Sequence, residues 1–177
     1  MPRALALAPA ALLALAGCGK LDQIDLTRSG SAIVPGAPGG AALPAGGIAS
    51  FPISVGRDAL AAQGIRPNDV DSAKLVGLRL EVTQGTSLER WLSSVSLYVE
   101  APGFARVLVA RKTGIDALPA GTTRVDLDTF GVDLKPYVLA PTTTVTAEGT
   151  GTVPPVDTTL LATATVRVDV NVTGLFR

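Results

Sequence analysis

The sequence predicts an all-β domain, an antiparallel β-sandwich with one or two short helical links. The clearest sign is at the C-terminal end. There Leu160, Ala162, Ala164, Val166, Val168, Val170 and Val172 alternate with Leu161, Thr163, Thr165, Arg167, Asp169, Asn171 and Thr173. That is the period of a strand with one dry and one wet side. Strand-like stretches also return roughly every 10 to 20 residues with turn residues between them, as in a sandwich. Helical patterning never runs beyond about two turns. Immunoglobulin-like and jelly-roll strand orders both fit this pattern.

From the N-terminus, Met-Pro-Arg is followed by an uncharged run over residues 4–16 and then by Leu15-Ala16-Gly17-Cys18. This reads as a basic n-region, an apolar h-region and a small-residue cleavage site. The run is shorter than the roughly twenty apolar residues that span a bilayer, and Pro9 interrupts it. Leu-Ala-Gly-Cys matches the lipobox of bacterial lipoproteins. Residues 1–17 are therefore expected to be a signal peptide and Cys18 the lipidated first residue of the mature chain. One acyl chain holds a protein to a membrane only marginally, and two hold it stably. The diacylglycerol of a lipoprotein supplies two. Gly19, where an Asp would signal inner-membrane retention, favours the outer membrane within the cell envelope.

Residues 18–47 read as a Gly/Pro-rich tether, with a short first strand possible over residues 20–28. Fully unpaired, such a tether would reach roughly 30 Å. The sandwich is expected over residues 48–177. Phe51, Ile53 and Val55 alternate; residues 57–63 read as a two-turn helix stopped by Gly64; Pro67-Asn-Asp-Val-Asp71 is a turn. Residues 74–82 are a strand with Val76, Leu78, Leu80 and Val82 on one face. Residues 87–92 are a short helical link carrying Trp91. Val95, Leu97 and Val99 make the next strand, and Pro102-Gly103 turns it into a hairpin partner over residues 104–111. Val125 and Leu127 form a shorter strand, residues 131–139 a turn or single helical turn, and residues 142–150 a Thr-rich strand.

Charge and composition narrow the function classes. The chain has 15 Lys and Arg against 15 Asp and Glu, and no His. The basic residues are scattered, which argues against nucleic acid and against a polybasic membrane patch. Without His the commonest general base and metal ligand are missing. The single Cys is Cys18, so no thiol nucleophile is left. No Ser stands in Gly-x-Ser-x-Gly or Ser-x-x-Lys, and there is no phosphate loop or dinucleotide fingerprint. A carboxylate mechanism would have to draw on Glu81, Glu89, Glu100 or Glu148, each in a setting where a solvated acid is the ordinary reading. The expectation is a protein that is not an enzyme and needs no cofactor.

Two weak sites are visible. Calcium takes oxygen ligands alone. Asp126 and Asp128 lie two apart on one strand, hence on one face, with Asp133 beyond the turn. Asn68, Asp69 and Asp71 crowd a second turn. A wet strand face and Asx turns account for both groups, so no metal is assigned. For a sugar platform, Trp91 and Tyr98 are the plausible exposed pair among 1 Trp, 2 Tyr and 4 Phe. The bland alternative is that Trp91 plugs one end of the sandwich.

The stretch 68–103 and the stretch 132–172, above all Val-Asp-Leu-Lys-Pro-Tyr137 and Pro-Pro-Val-Asp-Thr-Thr159, resemble lipoproteins of myxobacteria-like Gram-negative bacteria, a group with no assigned activity. The resemblance implies lipid attachment and a β-rich fold and nothing more. The expected partners are the membrane, through the lipid on Cys18, and another envelope protein. A carbohydrate-binding or calcium-stabilised module is the alternative.

Overall fold

A computed structural model describes residues 22–44, 46–53 and 56–171. The expected signal peptide, Cys18, Val55 and Val172 lie outside the described residues. Among the described residues nine strands form the body: β1 (Gln23–Val34), β2 (Gly47–Phe51), β3 (Val70–Gln84), β4 (Leu92–Ala101), β5 (Phe104–Thr113), β6 (Arg124–Asp126), β7 (Asp128–Thr129), β8 (Thr144–Gly151) and β9 (Thr158–Val170). Two helices are short, α1 (Arg57–Ala61) and α2 (Lys135–Val138). Gly64 follows the first with a φ of +74°.

The strands make two antiparallel sheets, ordered β1-β9-β3-β6 and β2-β8-β4-β5-β7. Four pairs are nested in the sequence: β1 with β9, β2 with β8, β3 with β6 and β4 with β5. The pairings of β3 with β9 and β4 with β8 then close each sheet. A long hairpin wound this way is a jelly roll, so the strand order is settled. After Asp126 the chain leaves the four-stranded sheet, and β7 pairs with β5 in the other. Leu127 is buried at the crossing, and its N–H donates to Leu78 O at 2.8 Å.

The inward faces supply one core, with Phe51, Leu60, Leu80, Leu97 and Leu160 at its centre. Burying each such side chain stabilises the fold by about 1.5–3 kcal/mol. On β9 every second residue from Thr158 to Val170 is buried.

Two expectations need correction. The first strand left possible over residues 20–28 is present and runs on to Val34, into the stretch read as tether: β1 pairs with β9 along its whole length, from Gln23↔Asp169 to Val34↔Thr158. Ile24, Leu26, Gly30, Ala32 and Val34 share the inward phase. Arg28 breaks the apolar pattern on this edge strand, and Gly30 resembles a linker residue. Its glycine has a packing cause, since a Cβ there would stand 2.8 Å from Ile53 Cγ1 and 3.3 Å from the Pro52 carbonyl carbon. The sandwich thus begins at β1 and not at residue 48. On β3 the register shifts between Leu75 and Gly77. This bulge changes the phase, so Leu75 points inward and Val76 is 41% exposed.

Candidate functional site

The most feature-rich surface is the wet face of the five-stranded sheet. Val95, Leu97 and Val99 of β4 point inward, which leaves Ser94, Ser96 and Tyr98 outward. Val145 and Ala147 do the same on β8 for Thr146, Glu148 and Thr150. On β5, Val109 and Ala110 are both buried where the register shifts. That bulge turns Arg106 and Arg111 toward the same wet face.

Arg106 reaches across β4. One guanidinium nitrogen donates to Glu148 Oε1 at 2.6 Å and another to Thr146 Oγ1 at 3.1 Å. The guanidinium carbon stands 3.8 Å from the centre of the Tyr98 ring, a cation–π stack. Arg111 Nε donates to Ser96 Oγ at 3.0 Å, and the Ser94 and Thr150 hydroxyls are 2.6 Å apart. Tyr98 therefore lies under a guanidinium and is not a bare platform. An open groove of about 380 Å³ runs beside it, lined by Ser94, Ser96, Tyr98, Arg111 and Glu148 among others. This face was partly legible in the alternation of β4 and β8. Arg106 and Arg111 were missed, because only the β5 bulge brings them there.

Trp91 is buried at 2% exposure, and its indole N–H donates to Thr86 O at 3.2 Å. It is a core residue and cannot pair with Tyr98 as a sugar surface.

The calcium candidates are dispersed. Asp126 lies on β6 and accepts two hydrogen bonds from Arg79, the shorter at 2.8 Å. Asp128 lies in the other sheet, 3.7 Å from Lys112 Nζ. The sheet crossing at Leu127 is what separates two acids expected on one face. Asp133 accepts from the backbone N–H of Ala73 and of Lys135 at 3.1 and 3.0 Å, a loop-fixing role. In the second turn, Asp69 accepts from the Arg66 N–H at 3.4 Å. Among the described residues no three acids converge into a metal site.

Several other carboxylates are paired as well. Asp25 and Arg167 share two hydrogen bonds of 2.8 Å, and Glu81 pairs with Arg124. The hydrogen bond from Arg167 holds the Asp25 carboxyl below the usual range, and that from Arg79 does the same for Asp126. At Glu89 burial pushes the carboxyl up. Hydrogen bonds from the Gly121 N–H and the Ser87 hydroxyl, at 2.9 and 2.7 Å, outweigh it and lower the pKa. Glu89 thereby latches two loops together. Between the sheets an apolar cavity of about 40 Å³ lies against Leu78, Val99 and Tyr137. It has room for little more than a water molecule, far less than the roughly 300 Å³ of a small-molecule site.

No family model matches the chain, and no curated protein matches it in sequence. Among solved structures it is similar to a chain of the cyanophage Pam1 capsid asymmetric unit, at 14% identity over 93% of this chain and 94% of that one, with a TM-score of 0.37. A likeness at that level assigns no function.

Proposed function

We propose that the protein is a non-catalytic, lipid-anchored module of the bacterial cell envelope that binds another envelope protein. The observation that carries the reading is the lipobox Leu15-Ala16-Gly17-Cys18 behind a charged n-region and a short apolar run. Five of the described carboxylates support the non-catalytic part. Asp25, Glu81, Asp126 and Glu148 each meet an arginine, and one oxygen of Glu89 accepts from the Gly121 N–H and the Ser87 hydroxyl.

Protein binding finds support at the end of the sandwich where β1 finishes and β9 starts. Ile33 and Val156 are 62% and 54% exposed there. Beside them lies a groove of about 330 Å³ lined by residues that include Val34, Pro35, Leu43, Ile48 and Val153. Exposed apolar patches on soluble domains mark interaction sites. The test is cross-linking in intact cells followed by envelope fractionation. The protein is expected in the membrane fraction cross-linked to a defined partner. Cys18→Ser is expected to move it to the soluble fraction. A wild-type protein that is soluble in the periplasm and alone would overturn the reading.

A carbohydrate ligand is the second reading, supported by the hydroxyl-lined groove beside Tyr98. A glycan array run with and without chelator tests it, and binding lost on Arg111→Ala would favour it over the protein partner.

A further inference from the structure

We propose that the end of the sandwich carrying the Pro102-Gly103 hairpin rests on the lipid surface, with Phe104 at the headgroup boundary. The proposal depends on the reading of Cys18 as the lipid anchor. If Cys18 carries the lipid, only residues 19–22 separate it from β1. Fully extended, they span about 14 Å, not the roughly 30 Å of a free tether.

Three contacts show which part of the fold lies at that end. The Val170 N–H donates to Asp22 O at 2.6 Å, so the start of β1 adjoins the end of β9. Val70, the start of β3, pairs with the same Val170. From β3, α2 bridges to the second sheet: the Leu134 N–H donates to Ala73 O at 2.6 Å, and the Tyr137 hydroxyl donates to Ala105 O at 2.5 Å. The β4–β5 hairpin is therefore on the anchor side.

Its tip is built to project. Ala101 pairs with Phe104 across Pro102 and Gly103, and Gly103 has a φ of +82°, which gives a two-residue turn with Pro first and a left-handed Gly second. Phe104 is 47% exposed, and its ring centre lies 5.7 Å from that of Tyr137, which braces it. An aromatic ring with one face on protein and the other in water suits the membrane interface. Charges of both signs surround this end, with Arg57, Arg66, Lys74 and Lys135 among the acids Asp22, Asp58, Asp69, Asp71, Glu100, Asp133 and Asp169, so it carries no basic excess to draw it to anionic lipid. The contact is thus apolar and needs neither anionic lipid nor low salt. The opposite end, with Ile33 and Val156, is a strand length of roughly 37 Å away and faces outward.

The test uses the full mature protein, purified from cells and placed in phosphatidylcholine vesicles. In the lipidated chain the Cys18 sulfur is a thioether, so Phe104→Cys or Ile33→Cys supplies the single free thiol for a polarity-sensitive fluorophore. The expected result at 104 is a blue shift and loss of emission when spin-labelled lipid is added, unchanged in high salt. At 33 no change is expected. A probe at 104 that stays in water overturns the proposal, and so does equal quenching at both positions, which would mean that the sandwich lies flat. Intact mass separates the two failures: an unacylated chain defeats the anchor reading and the docking together. An acylated protein that floats with vesicles but keeps position 104 wet defeats the docking alone.

Discussion

Val168 has no solvent exposure, while its neighbour Arg167 lies in water and donates two hydrogen bonds to Asp25 on the next strand. The chemistry of substitution at these adjacent positions must differ sharply. Val168→Asp puts a carboxylate with no partner into the core and is expected to cost at least about 4 kcal/mol, enough to leave the chain insoluble or protease-sensitive. Arg167→Asp removes an exposed ion pair and is expected to cost about 1 kcal/mol. Denaturant melts of the two variants read this directly, and equal midpoints would refute the half-buried strand. Three carboxyls also set an acid limit. The pKa values of Asp25, Glu89 and Asp126 are lowered in the folded state. Their contribution is fully present above the unfolded carboxyl pKa of about 4 and is lost as the pH falls through the folded values. Denaturant midpoints are therefore expected to hold from pH 7 to about pH 5 and to drop from about pH 4 downward, and Glu89→Gln is expected to flatten the drop. A midpoint independent of pH below about pH 4 would contradict the latch at Glu89.

At the scale of elements, legibility in the sequence followed the regularity of the strand. On β9 the alternation is unbroken, and burial follows it residue for residue. On β3 the inward face was misread at Val76, because a bulge changes phase without a signature in the residue types. On β1 two local signals misled: Arg28 in the inward phase of an edge strand, and Gly30 where close packing against Pro52 and Ile53 demands it. The wet-face site fared in between. Tyr98 was visible as the residue opposite Leu97 and Val99, but its arginine cover depends on which strand lies next to β4, a long-range fact. β1 offers a check on its own account. A chain beginning at Leu21 is expected to be soluble and β-rich by far-UV circular dichroism. A chain beginning at Pro35 uncovers the edge of β9 and is expected to aggregate. Equal solubility of the two would mean that β1 contributes little to the fold.

For the whole molecule, the nested pairing of strands decides what faces where. Winding the chain as a jelly roll places the start of β1 and the β4–β5 hairpin at one end, and the apolar groove near Val34 and Val153 at the other. In the proposed reading, an anchor just before β1 gives these ends different neighbours: lipid for the first and a protein partner for the second. The two wet faces between them carry cross-strand pairs such as Arg79–Asp126 and Arg106–Glu148, each of which neutralises its own acid. Everything in this arrangement depends on the acylation of Cys18, so the most direct measurement is labelling of growing cells with radioactive palmitate, with the wild-type and Cys18→Ser proteins isolated side by side. The wild-type protein is expected to take up label and, with signal peptidase II inhibited, to accumulate as the uncut precursor. The Cys18→Ser protein is expected to carry no label, and label retained on it would contradict the anchored arrangement.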